Sequence, residues 1–315
     1  MRQLPFASEI MVQAYINHTD REELREFVWH HLPSFGRVSS GEMWHYTSGQ
    51  ALVSILGTGK LFSTQVSCLN DMLEQRYFGD LVHAEVKQDA LTIADLKLDP
   101  LFNAADTALS KRDFAANALF VACFSEVEDD LSQWRGYGGG QCGYSIGFDL
   151  ETLLQVLPAR RPEALLLPMN YDTDHQQFLV KEVIKKAKQF FLDRLSKFQN
   201  AEKWAAELIA AFDRELHIFA CLFKHPKFAS ERERRIVATF VEEDLPSLTF
   251  VQKSTLLARH LPLDLRTPNG KLPITRVCVG PGPAQRASQV SVGTLLKQHG
   301  YDVPIEISSV PYRVP

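Results

Sequence analysis

The sequence predicts an α+β protein with a central mixed or antiparallel sheet and long helical insertions. Short apolar runs bounded by turn residues recur along the 315 residues, and such runs are typical of strands. Two long amphipathic stretches, roughly 174–199 and 201–224, are typical of helices that pair through a tight turn. A chain of this length can bury a large core.

The same pattern predicts how the chain is divided. Residues 1–40 contain an acidic helix start at Asp20 and are then broken by proline and glycine, so we expect a helical appendage there. We expect residues 41–315 to form a single α+β domain with a helical insertion at about 172–224.

Composition excludes several classes of function. A net charge of −4 and a pI near 6.2 argue against strong sequence-independent binding of nucleic acid, although a local basic patch stays possible. There is no apolar run long enough to span a bilayer and no apolar signal segment, so we expect a cytoplasmic protein without a membrane partner. No two of the 5 cysteines are close in sequence and the 10 histidines include no HxxxH pair, so no structural metal is expected.

The first organised unit runs from Trp44 to Thr64 and reads as strand, helix and strand. Its first strand places three hydrogen-bonding side chains together: His45, Tyr46 and Thr47. Glycines at 57 and 59 are expected to close the helix in a left-handed turn. We interpret this polar strand as one wall of a binding site.

The remaining elements follow in order. Further strands are expected at residues 118–125, 144–148, 236–240, 275–279 and 305–309. A helix is expected at 287–299, and the stretch 158–168, which starts and ends with proline, reads as a linker. A short helix is predicted directly after the acidic residues 128–130. It carries Trp134 and Tyr137, and this pattern favours a rigid aromatic corner.

The densest charge cluster precedes the strand at 236–240 and holds Glu231, Glu233 and Arg235. Strand alternation places these three on one side. Charges that enter a buried strand must be paired or functional, because burying them alone is costly. A structural ion-pair cluster and a second wall of the site are both compatible with the pattern.

A second set of acidic residues supports a different function. Asp71, Glu74, Glu126 and Asp129 supply the oxygen ligands that magnesium prefers, as in a metal-dependent nuclease or phosphodiesterase. Helix capping is the simpler interpretation of Asp71 and Glu74. A third hypothesis is a non-catalytic module that senses a nucleotide or a partner.

Several sequence blocks resemble one large bacterial family, the "twenty-nine seventy-one" domain-of-unknown-function family. The matching blocks are His45-Tyr46-Thr47, Leu69-Asn70-Asp71 with Glu74, Phe124-Ser125-Glu126 with Trp134 and Tyr137, Ile146-Gly147-Phe148, Lys224-His225 with Phe228, Glu231, Glu233 and Arg235, Val279-Gly280-Pro281, and Ser309-Val310-Pro311-Tyr312-Arg313. They span most of the chain.

The unit 44–64 and the Glu-x-Glu spacing also resemble the ADP-ribosyltransferases, including DNA-targeting toxins, which implies a split-barrel sheet and NAD as the substrate. The resemblance implies that His45 binds the adenosine ribose and that Ser63, with Thr64, lines the cleft. It implies that Glu233 stabilises the oxocarbenium-like transition state while Glu231 orients or deprotonates the acceptor.

Further roles follow from the same resemblance. Tyr46, Thr47 and Arg235 would complete the NAD site, and Trp134 or Tyr137 would stack on the nicotinamide. The expected setting is a bacterial toxin or phage-defence protein that modifies a macromolecule or cleaves NAD.

Overall fold

The structure is a computed structural model of the 315-residue chain. It describes residues 18–31, 41–69, 72–92, 95–111, 119–137, 143–161, 163–252 and 256–311. Asn70, Asp71, Tyr312 and Arg313 of the sequence blocks lie outside these residues, and so does the side chain of Glu74.

The described residues form both α-helices and β-strands. The helices are α1 His18–His31, α2 Gly49–Thr58, α3 Met72–Thr92, α4 Asp99–Lys111, α5 Leu131–Tyr137, α6 Leu150–Arg160, α7 Thr173–Leu195, α8 Ala201–Leu222 and α9 Gln285–Gln298. The strands are β1 Glu42–Thr47, β2 Leu61–Gln65, β3 Leu119–Ser125, β4 Tyr144–Asp149, β5 Leu165–Pro168, β6 Glu233–Thr239, β7 Thr249–Gln252, β8 Leu257–Leu263, β9 Ile274–Val279 and β10 Ile305–Ile307.

The strands join in one 10-stranded mixed sheet, which confirms the predicted fold class. Its main path runs β10-β9-β4-β1-β3-β2-β8-β7, while β6 pairs with β3 and β5. Strands β9 and β10 are parallel and the other paired strands are antiparallel. Among the described strands the path has two free ends, so the sheet is open and does not close into a barrel.

The chain divides into two compact units. One comprises Met1–Pro33, Phe78–Ala115 and Asp174–His217, so residues of the predicted appendage and of the predicted insertion contribute to the same helical unit. The other comprises Ser34–Tyr77, Ala116–Thr173 and Ile218–Pro315 and carries the sheet.

The helical unit is held together by aromatic packing and by ion pairs. Trp204 of α8 is fully buried and stacks on Phe198 with ring centroids 4.4 Å apart. Arg194 of α7 binds Asp20 of α1 at 3.0 Å and Glu23 at 2.7 Å. The predicted helix pair is confirmed as α7 and α8.

In the sheet unit, α2 connects β1 to β2 as expected from the sequence. Its apolar stripe, Leu52, Ile55 and Leu56, is buried in the main hydrophobic core. Ser48 caps its first turn, and Gly59 ends it in a left-handed conformation with φ 64°. Only the second of the two predicted turn glycines has this conformation, because Gly57 is still within the helix.

The prediction of a linker at 158–168 is wrong. Pro158 lies inside α6, near its C-terminal end, and Leu165–Pro168 form β5 against β6. The apolar side chains Leu153 and Leu157 anchor α6 in the core, which outweighs the helix-breaking tendency of the proline.

Helices that cross a membrane are long and almost wholly apolar, and no helix within the described residues meets both conditions.

Gly280 is tightly enclosed, which generates a prediction. A Cβ atom at Gly280 would lie 2.8 Å from the Gly143 carbonyl oxygen and 2.8 Å from the Trp134 ring. We therefore expect Gly280→Ala to lower the free energy of unfolding by about 1–3 kcal/mol in denaturant titrations. Gly136→Ala in α5 is the control, because its Cβ has no heavy atom within 4 Å. Equal stability of the two variants would contradict the packing described.

Candidate functional site

The sheet is forked along one edge of β3. At one end of this edge, Phe120 and Val121 pair with β2. At the other end, Ser125 pairs with Trp44 of β1. Between them, residues 122–124 pair with no described strand on this side, whereas β6 pairs with β3 along its whole length on the other side. We call the gap at residues 122–124 the fork.

A cavity of about 920 Å³ opens at the fork, and all the described residues that line it belong to the sheet unit. Strands β1, β2, β3, β6, β7 and β8 and the helices α2 and α5 contribute to its lining. Six of the residues predicted for the site line it together with the predicted acid Glu233: His45, Tyr46, Thr47, Thr64, Tyr137 and Arg235. The fork therefore brings together residues that are nearly two hundred positions apart in the chain.

His45 lies in the fork as a neutral ring. Its Nδ1 is 2.9 Å from the carbonyl oxygen of Cys123, the middle residue of the fork. A carbonyl oxygen only accepts hydrogen bonds, so Nδ1 carries the proton and the unprotonated Nε2 is an acceptor. Burial lowers the pKa of His45 and outweighs the opposing effect of the Cys123 hydrogen bond, so the ring stays neutral at physiological pH.

Glu233 is the first residue of β6 and is only 4% exposed. Its Oε1 accepts a hydrogen bond from Arg235 Nε at 2.6 Å, and its Oε2 accepts one from Lys224 Nζ at 2.7 Å. Burial raises the pKa of this carboxyl, but the charges of Arg235 and Lys224 more than offset it and lower the pKa to about 2. Glu233 is therefore an ionised group in the cavity wall.

His45 and Glu233 belong to opposite faces of the sheet. Trp44 is paired with Ser125, and Ser125 with Glu233, so these three side chains share one face. His45 is the next residue after Trp44 and extends from the other face. Both side chains nevertheless line the same cavity, so its lining draws on both faces of the sheet at the fork.

Lys224 is a site residue that the sequence analysis missed. It is 3% exposed, and its Nζ donates to Glu231 at 2.6 Å as well as to Glu233. The backbone hydrogen bond from Lys224 N to the Asn170 carbonyl oxygen fixes the lysine just beyond α8. The sequence block Lys224-His225, which lies close to the glutamates along the chain, was the one indication of this role. The block does not indicate which way the lysine side chain points.

Two predicted site residues lie elsewhere. Ser63 is fully buried on the opposite face from Thr64, and its hydroxyl donates to the Leu261 carbonyl oxygen at 2.8 Å, so it does not line the cavity. Trp134 is buried too, and its indole N–H donates to Asp129 at 2.7 Å. Its ring packs edge-on against Tyr46. Trp134 supports the cavity wall from behind and offers no stacking surface inside it.

Glu231 lies beside the cavity lining and outside the strand. It ends a 3-10 helix, Pro226–Glu231, and the following Arg232 has a left-handed backbone with φ 44°. Alternation along a strand therefore starts only at Glu233, and the predicted shared side holds for Glu233 and Arg235 alone. Glu231 reaches the cluster through its ion pair with Lys224.

The acidic residues of the magnesium hypothesis have other partners where the structure describes them. Glu126 forms an ion pair with Arg234. Asp129 accepts hydrogen bonds from Trp134, Ser308 and Ser309. No group of three or more His, Cys, Asp or Glu side chains in the described part of the chain is arranged to hold a metal ion.

Comparison with known proteins identifies a family over part of the chain. Residues 133–236 match the family model described as "Protein of unknown function (DUF2971)". This confirms the family resemblance for a segment that contains Tyr137, Lys224, Glu233 and Arg235. No curated protein matches the chain.

The buried ion cluster predicts a pH-dependent stability. Lys224→Met leaves Glu231 and Glu233 without their shared cation, so we expect a loss of about 3–5 kcal/mol in the free energy of unfolding at neutral pH. The lowered pKa of Glu233 stabilises the fold above the unfolded-state pKa, and this stabilisation is lost as pH falls towards about 2. In Lys224→Met the pKa of Glu233 rises, so the acid loss begins at higher pH.

Denaturant titrations between neutral and acidic pH measure both effects. Lys227→Met is the matched control, because Lys227 is an exposed lysine three residues further along the chain. It should change stability by less than about 0.5 kcal/mol. A Lys224→Met protein as stable as the control would refute the account of the cluster.

Proposed function

We propose that the cavity at the fork binds NAD and that the protein is an NAD-cleaving enzyme of the ADP-ribosyltransferase type. One observation carries the proposal: His45 and Glu233, which this resemblance assigns to the adenosine ribose and to the transition state, line the same cavity. A volume of about 920 Å³ lies in the upper part of the range for small-molecule sites, about 300–1,000 Å³. An extended dinucleotide suits a cavity whose lining comes from both faces of the sheet.

His45 supplies a hydrogen-bond acceptor for a ribose. Because Nδ1–H is hydrogen-bonded to the Cys123 carbonyl, Nε2 of the neutral ring can accept a hydrogen bond from a ribose hydroxyl. Because burial lowers the pKa of His45, this role persists through neutral pH. The hydrogen bond to the backbone also fixes the ring, so little rotational freedom is lost when a ligand binds.

Glu233 supplies negative charge where positive charge develops. The bond between nicotinamide nitrogen and ribose C1′ breaks, and its electron pair leaves with neutral nicotinamide. The oxocarbenium-like ribose is stabilised by the ionised carboxylate. Water or a macromolecular acceptor then bonds to C1′ and releases one proton, giving ADP-ribose or an ADP-ribosylated acceptor. Tyr137, which lines the cavity and is 41% exposed, offers a ring for the nicotinamide.

Such an activity would suit a toxin or a phage-defence protein, since it depletes NAD or modifies a host macromolecule. Glu231 is then the group that orients the acceptor, held beside Glu233 by Lys224.

A binding-only module is the second candidate. Both carboxylate oxygens of Glu233 already accept hydrogen bonds from Lys224 and Arg235, and Cys123 adds a thiol donor. This saturation favours a structural ion cluster in the wall of a sensing cavity. Binding of NAD without any turnover would identify this function.

Release of nicotinamide from NAD by the purified protein tests the proposal. We expect Glu233→Gln to lower the rate by about 10²–10³-fold, because the charge that stabilises the transition state is removed. His45→Ala should raise KM for NAD with a smaller effect on kcat, because it removes a binding contact. Thermal melting shows whether each variant is folded.

Glu306→Gln is the matched control, an exposed glutamate outside the cavity lining, and should keep the wild-type rate. The proposal is overturned if the wild-type protein releases no nicotinamide. It is also overturned if folded Glu233→Gln and His45→Ala proteins both keep the wild-type rate and KM.

A further inference from the structure

One wall of the cavity lies on the face of the sheet that carries Glu233. Its side chains have no role in the cleavage step proposed above. Strand pairing places Phe62 opposite Pro262, and Thr64 opposite His260. Partners in register share a face, and all four residues line the cavity. Thr64 is also paired with Val121, which shares its face with Glu233 through the alternation along β3. We call this surface the β2–β8 wall.

Lys60 stands at the start of the β2–β8 wall. It is the residue between the left-handed Gly59 and the first residue of β2, and it lines the cavity. Its backbone N–H donates to the Thr58 hydroxyl at 3.3 Å, which ties its main chain to the end of α2. The position is therefore fixed by a helix end on one side and a strand start on the other.

The charge of Lys60 is not balanced within the cavity lining. The other charged residues of the described lining, Glu233 and Arg235, are paired with each other at 2.6 Å. Lys60 has no ion pair with any residue that the structure describes. Among the lysine, arginine, aspartate and glutamate side chains of the described lining, Lys60 therefore contributes one uncompensated positive charge. A cavity of this kind attracts anions, and more strongly than open surface does.

We propose that Lys60 and the β2–β8 wall form a phosphate-binding subsite for the diphosphate of a nucleotide ligand. The ammonium group supplies a charge-assisted contact to phosphate oxygens, and the Thr64 hydroxyl and His260 ring offer further polar contacts. The ring of Phe62, beside them on the wall, gives an apolar surface next to the charge. The identity of the nucleotide in this inference rests on the proposed function. The assignment of a phosphate group to this wall rests on the charge of the lining.

Calorimetric titration of the full chain with ADP-ribose, and with adenosine as a phosphate-free probe, tests the subsite. We expect Lys60→Ala to weaken ADP-ribose binding about 10-fold or more, the range for one charge-assisted hydrogen bond. Adenosine binding should stay unchanged. Lys60→Arg should retain most of the affinity, and raising the salt concentration should weaken ADP-ribose but not adenosine.

Lys297→Ala is the control, because Lys297 is an exposed lysine of α9 outside the cavity. Wild-type affinity of Lys60→Ala for ADP-ribose overturns the subsite, and so does an equal loss for adenosine. A wild-type chain that does not bind ADP-ribose overturns it as well.

The outcomes separate the subsite from the cleavage. Lys60-dependent binding of ADP-ribose without release of nicotinamide supports the subsite and refutes cleavage. Release of nicotinamide with ADP-ribose binding that ignores Lys60 supports cleavage and refutes the subsite.

Discussion

The buried carboxylate of Glu233 is the constraint on which the rest of the site depends. An ion of this kind, taken out of water, is destabilising by several kcal/mol unless it is paired with good geometry, and Arg235 and Lys224 supply two cations at 2.6 and 2.7 Å. Arg235 in turn donates to the Cys221 carbonyl oxygen, and Lys224 also binds Glu231. The cluster therefore joins the end of α8 to the start of β6 and holds one charged group at the cavity wall.

The fork explains how this charge meets a histidine from the other face of the sheet. In an unbroken sheet, the alternation of side chains would separate His45 from Glu233 by the thickness of the backbone. Here β1 and β2 share one edge of β3, and the Cys123 carbonyl between them accepts a hydrogen bond from the His45 ring. This hydrogen bond gives the carbonyl a donor and fixes the histidine at the same time.

The sequence was informative where local patterns decide the structure. Periodicity predicted the helix pair and the apolar strands, and the charge cluster at 231–235 indicated a paired or functional group before a core strand. Pairing between strands that are distant in the sequence decides the features that the sequence did not predict. Ser63 and Thr64 were both predicted to line the cleft, but only Thr64 does, because adjacent residues of a strand lie on opposite faces. Lys224 was missed because its direction depends on where α8 ends, and the fork depends on three strands meeting at β3.

The central claim is that a single ligand passes through the fork and contacts both His45 and Glu233. A crystal structure of the protein with ADP-ribose and nicotinamide tests it most directly. The account predicts one ribose hydroxyl within hydrogen-bond distance of the His45 ring, and the nicotinamide-side ribose beside Glu233. A nucleotide bound entirely on one face of the sheet, in contact with only one of these residues, would contradict it.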